Sequence, residues 1–183
     1  TMRAISERRM RASVDERAQL LYRVADVIER RFDEFVAAEV ADTGRTVEQA
    51  KKLDVYRGIH NLRTFADLGQ GGPVVRPRDL GKHAQGDFFE TRTAGGDNLI
   101  NYTVRKPLGV VASISPWNLP LLSVTWKSGP ALICGNAMVV KPSEETPSSA
   151  TLLAEAFHEA GAPPGVFNVV HGFGPNSAGA ALT

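Results

Sequence analysis

The stretch GVVASISPWNLP, residues 109–120, decides the fold class and marks the place of a site. Its first half is a short run of small and β-branched residues, which is typical of a buried strand. Its second half places two prolines around a tryptophan and an asparagine, and proline fits neither a strand interior nor a helix interior. The sequence therefore predicts a strand that ends near Ser115 and presents the amide side chain of Asn118 at its exit.

Strand and helix patterns alternate from this stretch onwards. Strands are predicted over residues 109–114, 136–142 and 166–172, and helices over residues 119–135, 146–161 and 174–182. Pro130 predicts a kink or a break in the first of these helices. The second helix is expected to have Thr146 as its N-cap and Pro147 at its first position. This alternation indicates an α/β fold with a parallel sheet and right-handed crossovers.

The N-terminal part is predicted to be helical. Residues 13–42 repeat apolar side chains at helical spacing, begin with a capping box and end before a glycine. A second helix with its own capping box is expected over residues 46–68. Residues 69–87 are rich in glycine, proline and charge and favour a loop, whereas residues 88–106 favour a hairpin or two long strands. The weak apolar pattern of those strands fits a partner surface as well as a core.

Composition excludes several classes of protein. The chain has 183 residues, of which 43% are hydrophobic, and its 21 basic and 20 acidic side chains give a formal net charge of +1. Such a balance produces no field that favours nucleic acid or a membrane surface. A single cysteine excludes an internal disulfide framework and suits the cytoplasm. The four histidines are scattered without metal-ligand spacing, so no metal site is predicted.

Polar residues or glycines follow each predicted strand of the sheet. They are residues 115–118, 141–144 and 171–174. Ligands of open parallel sheets bind outside the carboxyl ends of the strands, so a site is expected at this edge. The glycine-rich dinucleotide fingerprint is absent, because Pro-Trp-Asn occupies the place after the first strand.

Several residues at this edge allow two interpretations. Lys141 and Glu144 either bind the ribose of a nucleotide or belong to a loop in which Glu144 begins a helix. The turn that contains Gly174 either lets the backbone approach a ligand or simply joins a strand to a helix. Trp117 and Trp126 are expected in the core, as large aromatic residues usually are.

Long motifs in this chain resemble the aldehyde dehydrogenase superfamily. They are KPLGVV, SPWNLPLL, WKSGPALICGNAMVVKPSEETP and EAGAPPGVFNVVHGFGP, with ADTGR between the two N-terminal helices. The stretch NYTVRKPLGVV and the residues after it are most similar to the branch that oxidises hydroxymuconic and aminomuconic semialdehydes. The resemblance implies N-terminal helices joined to an incomplete Rossmann-like sheet. It also implies a division into a helical part of the cofactor domain (1–87), a β-hairpin oligomerisation element (88–106) and a partial NAD-binding domain (107–183).

The same resemblance assigns roles to individual residues. Asn118 matches the amide that stabilises the oxyanion formed when a cysteine thiolate attacks the aldehyde, a task that needs a fixed neutral donor. The residues implied for NAD are Ser115, Pro116, Trp117, Lys141, Ser143, Glu144 and Gly174. The residues implied for substrate are Arg57, Leu122 and Trp126, with Arg57 gripping a carboxylate and Arg63 as the second choice. A small aldehyde is the expected partner, and a homodimer or homotetramer is the expected assembly.

The family's nucleophilic cysteine and its general base have no match in this sequence. Cys134 lies in PALICGN and is expected to be an inert packed thiol. We therefore expect a portion of a longer NAD-dependent enzyme that is inactive alone. Two alternatives stay open, namely a non-catalytic nucleotide-binding or scaffold fragment and a structural subunit that adds residues 88–106 to another chain.

Overall fold

A computed structural model describes residues 12–71 and 106–183 of the chain. The predicted hairpin over 88–106 lies outside the described residues apart from its last position, and the division of the chain into three parts stays a prediction. None of the helices in the two described ranges combines the length and the apolar character needed to cross a membrane.

The first predicted helix is two helices. Helix α1, Val14–Arg30, begins with the predicted capping box, in which Ser13 and Glu16 satisfy each other's backbone amides. Helix α2, Phe32–Thr43, ends at Gly44, whose left-handed φ of 70° closes the helix. The expectation of one continuous helix is wrong because Arg31 leaves the helical region between them. Apolar spacing continues across the bend, so it gave no signal of the break.

The second predicted helix contains a π-helical segment. Its capping box is confirmed at Thr46, which begins helix α3, Val47–Gln49. The π-segment, Ala50–Val55, follows, and helix α4, Tyr56–Gly69, completes the element. A π-bulge changes which residues face inward, and here it contains Asp54, which is fully buried.

Three parallel strands form a sheet in the order β1–β2–β3, as the alternation predicts. The strands are β1 (Val110–Ile114), β2 (Ala137–Lys141) and β3 (Phe167–Val169). The helices after them are α5 (Pro120–Ile133), α6 (Ser148–Glu159) and α7 (Ala178–Ala181). Helix α5 runs past Pro130 without a break.

The burial of the strands differs from the expectation for β1. Every residue of β2, the central strand of the described sheet, is buried. Val110, Ala112 and Ile114 of β1 are exposed; they alternate along the strand and therefore share one face, which the described residues leave uncovered. The prediction of a buried first strand is therefore wrong for this part of the structure, although its position is correct.

Helix α5 connects the N-terminal helices to the sheet. It packs on α4 and on β2, and its apolar residues join one core with those of α1, α4 and α6. The contact with α4 is close, because a Cβ atom at Gly129 would stand 2.3 Å from the ring of Phe65. This packing fixes the axis of α5 and leaves its N-terminal end, directly after Asn118, next to the end of α2.

Candidate active site at the strand ends

The first strand end presents an exposed turn. The backbone amide of Ser115 donates to the carbonyl of Lys141 at 3.1 Å, which joins the ends of β1 and β2. Pro116, Trp117 and Asn118 are exposed, and Trp117 is 63% exposed, so its predicted place in the core is wrong. Within residues 12–71 and 106–183 no partner hydrogen-bonds the side-chain amide of Asn118, which is therefore available to a ligand.

Two side chains from the end of α2 and the loop after it hold this turn from behind. Arg45 donates from one guanidinium nitrogen to the backbone carbonyl of Asn118 and from another to the carboxylate of Asp54. Glu39 accepts the backbone amide of Leu121 at 3.0 Å and so caps the N-terminal end of α5. None of these three supporting residues was predicted from the sequence. One signal was available, because Glu39 interrupts the buried apolar face of α2.

Burial has the largest effect on the pKa values of the two carboxyl groups beneath the turn, those of Glu39 and Asp54. Desolvation raises the pKa of Glu39 to about 7, and the neighbouring carboxyl of Asp54 adds to the rise. The hydroxyl of Ser149, the amide of Leu121 and the charge of Arg45 act in the opposite direction. Burial likewise raises the pKa of Asp54, against the hydrogen bond and charge of Arg45. One arginine thus faces two buried carboxyl groups.

The second strand end is built from local contacts. Lys141 is only 2% exposed, and its ammonium group donates to the carbonyl of Pro142 at 2.8 Å and to the carboxylate of Glu144 at 3.2 Å. Glu144 itself is exposed, and its own backbone amide, followed by Lys141, lowers its pKa. The hydroxyl of Ser143 accepts the amide of Glu145 at 3.3 Å. A carboxylate therefore stands at the surface and is held by a buried lysine.

The cap of α6 decides one open alternative. Ser148 donates from its amide and from its hydroxyl to the carboxylate of Asp42, both at 2.8 Å. Asp42 of α2 therefore caps α6, and the idea that Glu144 begins this helix as its cap is wrong. The predictions of Thr146 as the N-cap and Pro147 as the first helical residue are also wrong, because Pro147 is the N-cap residue and the buried hydroxyl of Thr146 has no hydrogen-bond partner among the described residues. Sequence could not reveal a cap supplied from another helix.

The third strand end is a close backbone turn. His171 lies 3.1 Å from the hydroxyl of Thr151, measured from its Nε2. A Cβ atom at Gly179 of α7 would stand 2.7 Å from the Cα of Gly174, so the two backbones touch. A Cβ atom at Gly174 would meet nothing within 4 Å among the described atoms, which leaves that side of the turn open. This geometry favours the interpretation in which the backbone lies open to a ligand.

The predicted substrate residues meet on the facing surfaces of α4 and α5. The guanidinium carbon of Arg57 lies 5.9 Å from the ring centroid of Trp126, which is within cation–π range. Trp126 is 53% exposed, so its predicted burial is wrong, whereas Leu122 is buried one turn earlier. Arg63 pairs instead with Asp26 at 2.9 Å and Glu29 of α1 at 2.6 Å.

Comparison with known proteins agrees with this architecture. The profile of the aldehyde dehydrogenase family matches residues 3–183. The chain belongs to the aldehyde dehydrogenase family. The α/β class with a partial Rossmann-like sheet, expected from the sequence, is confirmed.

Muconic semialdehyde dehydrogenases are among the similar relatives. A 2-hydroxymuconic semialdehyde dehydrogenase of Pseudomonas sp. (strain CF600) is 54% identical over 93% of this chain and 33% of its own length. A 2-aminomuconic 6-semialdehyde dehydrogenase of Pseudomonas sp. is 52% identical over 92% of this chain and 32% of its own length. The chain thus spans about a third of the relatives it matches.

A solved structure of the same family contains the expected cofactor. PnpE from Pseudomonas sp. WBC-3, in complex with nicotinamide adenine dinucleotide, superposes with a TM-score of 0.78 at 38% identity. The match covers 94% of this chain and 32% of PnpE.

Two further polar groups of this aldehyde dehydrogenase chain lie on α5. Lys127 donates to the backbone carbonyl of Ile114, the last residue of β1, and burial lowers its pKa. Lys127 was not predicted from the sequence, because a lysine on a helix face carries no local signal. Cys134, at the end of α5, is exposed, so its expected packing is wrong; partial desolvation nevertheless raises its pKa, which disfavours the thiolate.

Proposed function

We propose that this chain supplies the oxyanion donor and part of the NAD site of an enzyme that oxidises an aldehyde to a carboxylic acid. The observation that carries the proposal is the first strand end, where the amide of Asn118 is free and its backbone is held from behind. A fixed neutral donor stabilises the negative charge that develops on the aldehyde oxygen when a nucleophile attacks the carbonyl carbon.

The second and third strand ends fit the adenosine side of the cofactor. Glu144 presents a charged carboxylate that accepts hydrogen bonds from ribose hydroxyls, and Lys141 is held where it can donate to them. Gly174 leaves an open backbone turn beside them, and Ser115, Pro116, Trp117 and Ser143 line the same edge. NAD bound there would supply the acceptor for the hydride that leaves the substrate carbon.

The substrate in this proposal is a muconic-type semialdehyde, which carries a carboxylate as well as the aldehyde. Arg57 offers a planar guanidinium for the carboxylate, and Trp126 holds that guanidinium in place through its ring face. Leu122 supplies the apolar floor one helical turn away. In the same proposal the enzyme is a cytoplasmic homodimer or homotetramer in which residues 88–106 join subunits.

The test is an assay of a dehydrogenase that contains this chain. One form of this enzyme is a longer protein that includes the chain. The other is a hybrid, in which the chain replaces the matching third of the CF600 relative and the relative provides the remainder of the fold. We expect NADH to form in proportion to a semialdehyde that carries a carboxylate. A folded protein that binds NAD and reduces none of it with any aldehyde would support the scaffold alternative.

A further inference from the structure

The turn after β1 is held at both ends by side chains from α2 and the loop after it. Arg45 holds the carbonyl of Asn118, and Glu39 holds the amide of Leu121. Helix α5 has no cap from its own N-cap residue Leu119, so Glu39 provides the side-chain acceptor there. The backbone from Asn118 to Leu121 is therefore fixed at its first and last residues.

Asp54 fixes the arginine of this clamp. Its carboxylate is fully buried and lies 2.5 Å from one guanidinium nitrogen of Arg45. The other nitrogen of the same planar group reaches the Asn118 carbonyl. A guanidinium can bind both acceptors in one rigid plane, whereas a lysine ammonium on a flexible stem is a single point of attachment.

We propose that Arg45, anchored by Asp54, is a positioning residue that aims the amide of Asn118, with Glu39 fixing the far side of the same turn. The proposal rests on the proposed function, because it requires Asn118 to be the oxyanion donor. No described residue holds the Asn118 side chain itself, so its direction follows from the backbone that Arg45 holds. A displacement of about 1 Å in such a group can cost about 100-fold in rate.

A double-mutant cycle in the active dehydrogenase or hybrid tests this assignment. Arg45→Ala should lower kcat by about 10- to 100-fold and leave KM for NAD nearly unchanged. In an Asn118→Ala background the same change should lower kcat less than about twofold, because there is no amide left to aim. If the double variant shows the product of the two single-variant losses in kcat, Arg45 acts independently of Asn118 and only stabilises the fold. That result would overturn the proposal.

Arg45→Lys guards against a variant that fails to fold, because it keeps a positive charge beside the buried Asp54. It should retain the melting temperature to within a few degrees and still lose kcat, since lysine cannot hold both acceptors. Arg23→Lys is the matched control. Arg23 also donates to a backbone carbonyl distant in sequence, that of Ala160 at 2.9 Å, but this contact lies at the C-terminal end of α6. The Arg23→Lys variant should keep full turnover.

The outcomes separate this proposal from the one on which it rests. A folded wild-type protein that reduces no NAD would overturn both. An active wild type whose Arg45→Lys variant turns over at the wild-type rate would overturn the positioning role alone.

Discussion

The ends of β1 and β2 lie side by side, yet they are built in opposite ways. The turn at Asn118 depends on Arg45, 73 residues earlier in the chain, and on Glu39, which is 82 residues from the amide it accepts. At the end of β2, Lys141 meets Glu144 only three residues away. The Asn118 turn therefore takes its shape from tertiary contacts, whereas the Lys141–Glu144 pair is a local contact.

This difference predicts how the two ends respond to substitution. Changes beneath the Asn118 turn should reach the chemistry through the backbone, whereas changes at Glu144 should stay local.

Replacing the donor itself should have the largest effect. Asn118→Ala in the active enzyme should reduce kcat by about 100- to 1,000-fold, the usual loss of one oxyanion donor. Steady-state rates with saturating aldehyde and NAD provide the measurement. Asn168→Ala is a control for the loss of an amide, because Asn168 donates to the backbone carbonyls of Met138 in β2 and of Gly165 in the turn before β3. Turnover of Asn118→Ala at the wild-type rate would contradict the role of Asn118 as the oxyanion donor.

The stability of the protein should depend on pH through the buried carboxyl group of Glu39. Because the folded protein holds the pKa of Glu39 at about 7 against an ordinary value of 4.5, it binds more protons than the unfolded chain between these values. Its stability therefore falls as pH rises through this window, by about 3 kcal/mol from this group. Glu39→Gln should remove this loss of stability with rising pH, because the variant keeps Asp54 and Arg45 and lacks only the titrating carboxyl group of Glu39. Urea unfolding at pH 4.5 and pH 8 measures the difference.

Glu34 on the same helix is the control of opposite sign. A hydrogen bond from Arg31 lowers its pKa, so its contribution to stability is present at neutral pH and is lost as pH falls. Glu34→Gln should therefore reduce stability more at neutral pH than in acid. If the Glu39→Gln curve instead runs parallel to wild type, the carboxyl of Glu39 is not held in the way described.

The substrate surface should respond only to charged substrates. Arg57→Ala should lose a charge-assisted pair of about 1.5–3 kcal/mol, or about 10- to 150-fold in kcat/KM, for a semialdehyde with a carboxylate. A neutral aldehyde of similar length should be almost unaffected. Arg63→Ala on the same helix should change kcat/KM by the same factor for both substrates, because Arg63 is paired with acidic residues of α1. Equal losses for both substrates with Arg57→Ala would make Arg57 structural and remove the main support for a muconic-type substrate.

The smallest effect is expected at the nucleotide end. In the proposed site Glu144 accepts from a 2′-hydroxyl and would repel a 2′-phosphate, so the enzyme should prefer NAD to NADP. Glu144→Gln should narrow this preference by about tenfold and leave kcat with NAD nearly unchanged. The ratio of kcat/KM for the two cofactors measures it. A preference for NADP that does not change in the variant would contradict the role of Glu144.

The same contrast explains how far sequence could predict the structure. The parallel sheet and both N-terminal capping boxes follow patterns along the sequence and were predicted. The Asp42 cap, the Arg45 contact and the Glu39 contact join residues 106, 73 and 82 positions apart, and apolar spacing continues across the bend at Arg31, so short-range patterns did not predict them. The exposure of Trp117 and Trp126 was missed because composition favours the core for tryptophan, and periodicity does not tell which face is covered.

One short segment serves two junctions at once. Glu39 caps α5 after the first strand, Asp42 caps α6 after the second, and Arg45 holds the turn between them. Anyone who builds chimeric dehydrogenases by exchanging the sheet and its helices, residues 106–183, between relatives would leave these supports behind on the donor. The natural unit of exchange is therefore discontinuous in sequence, and it includes residues 39–45 together with the sheet.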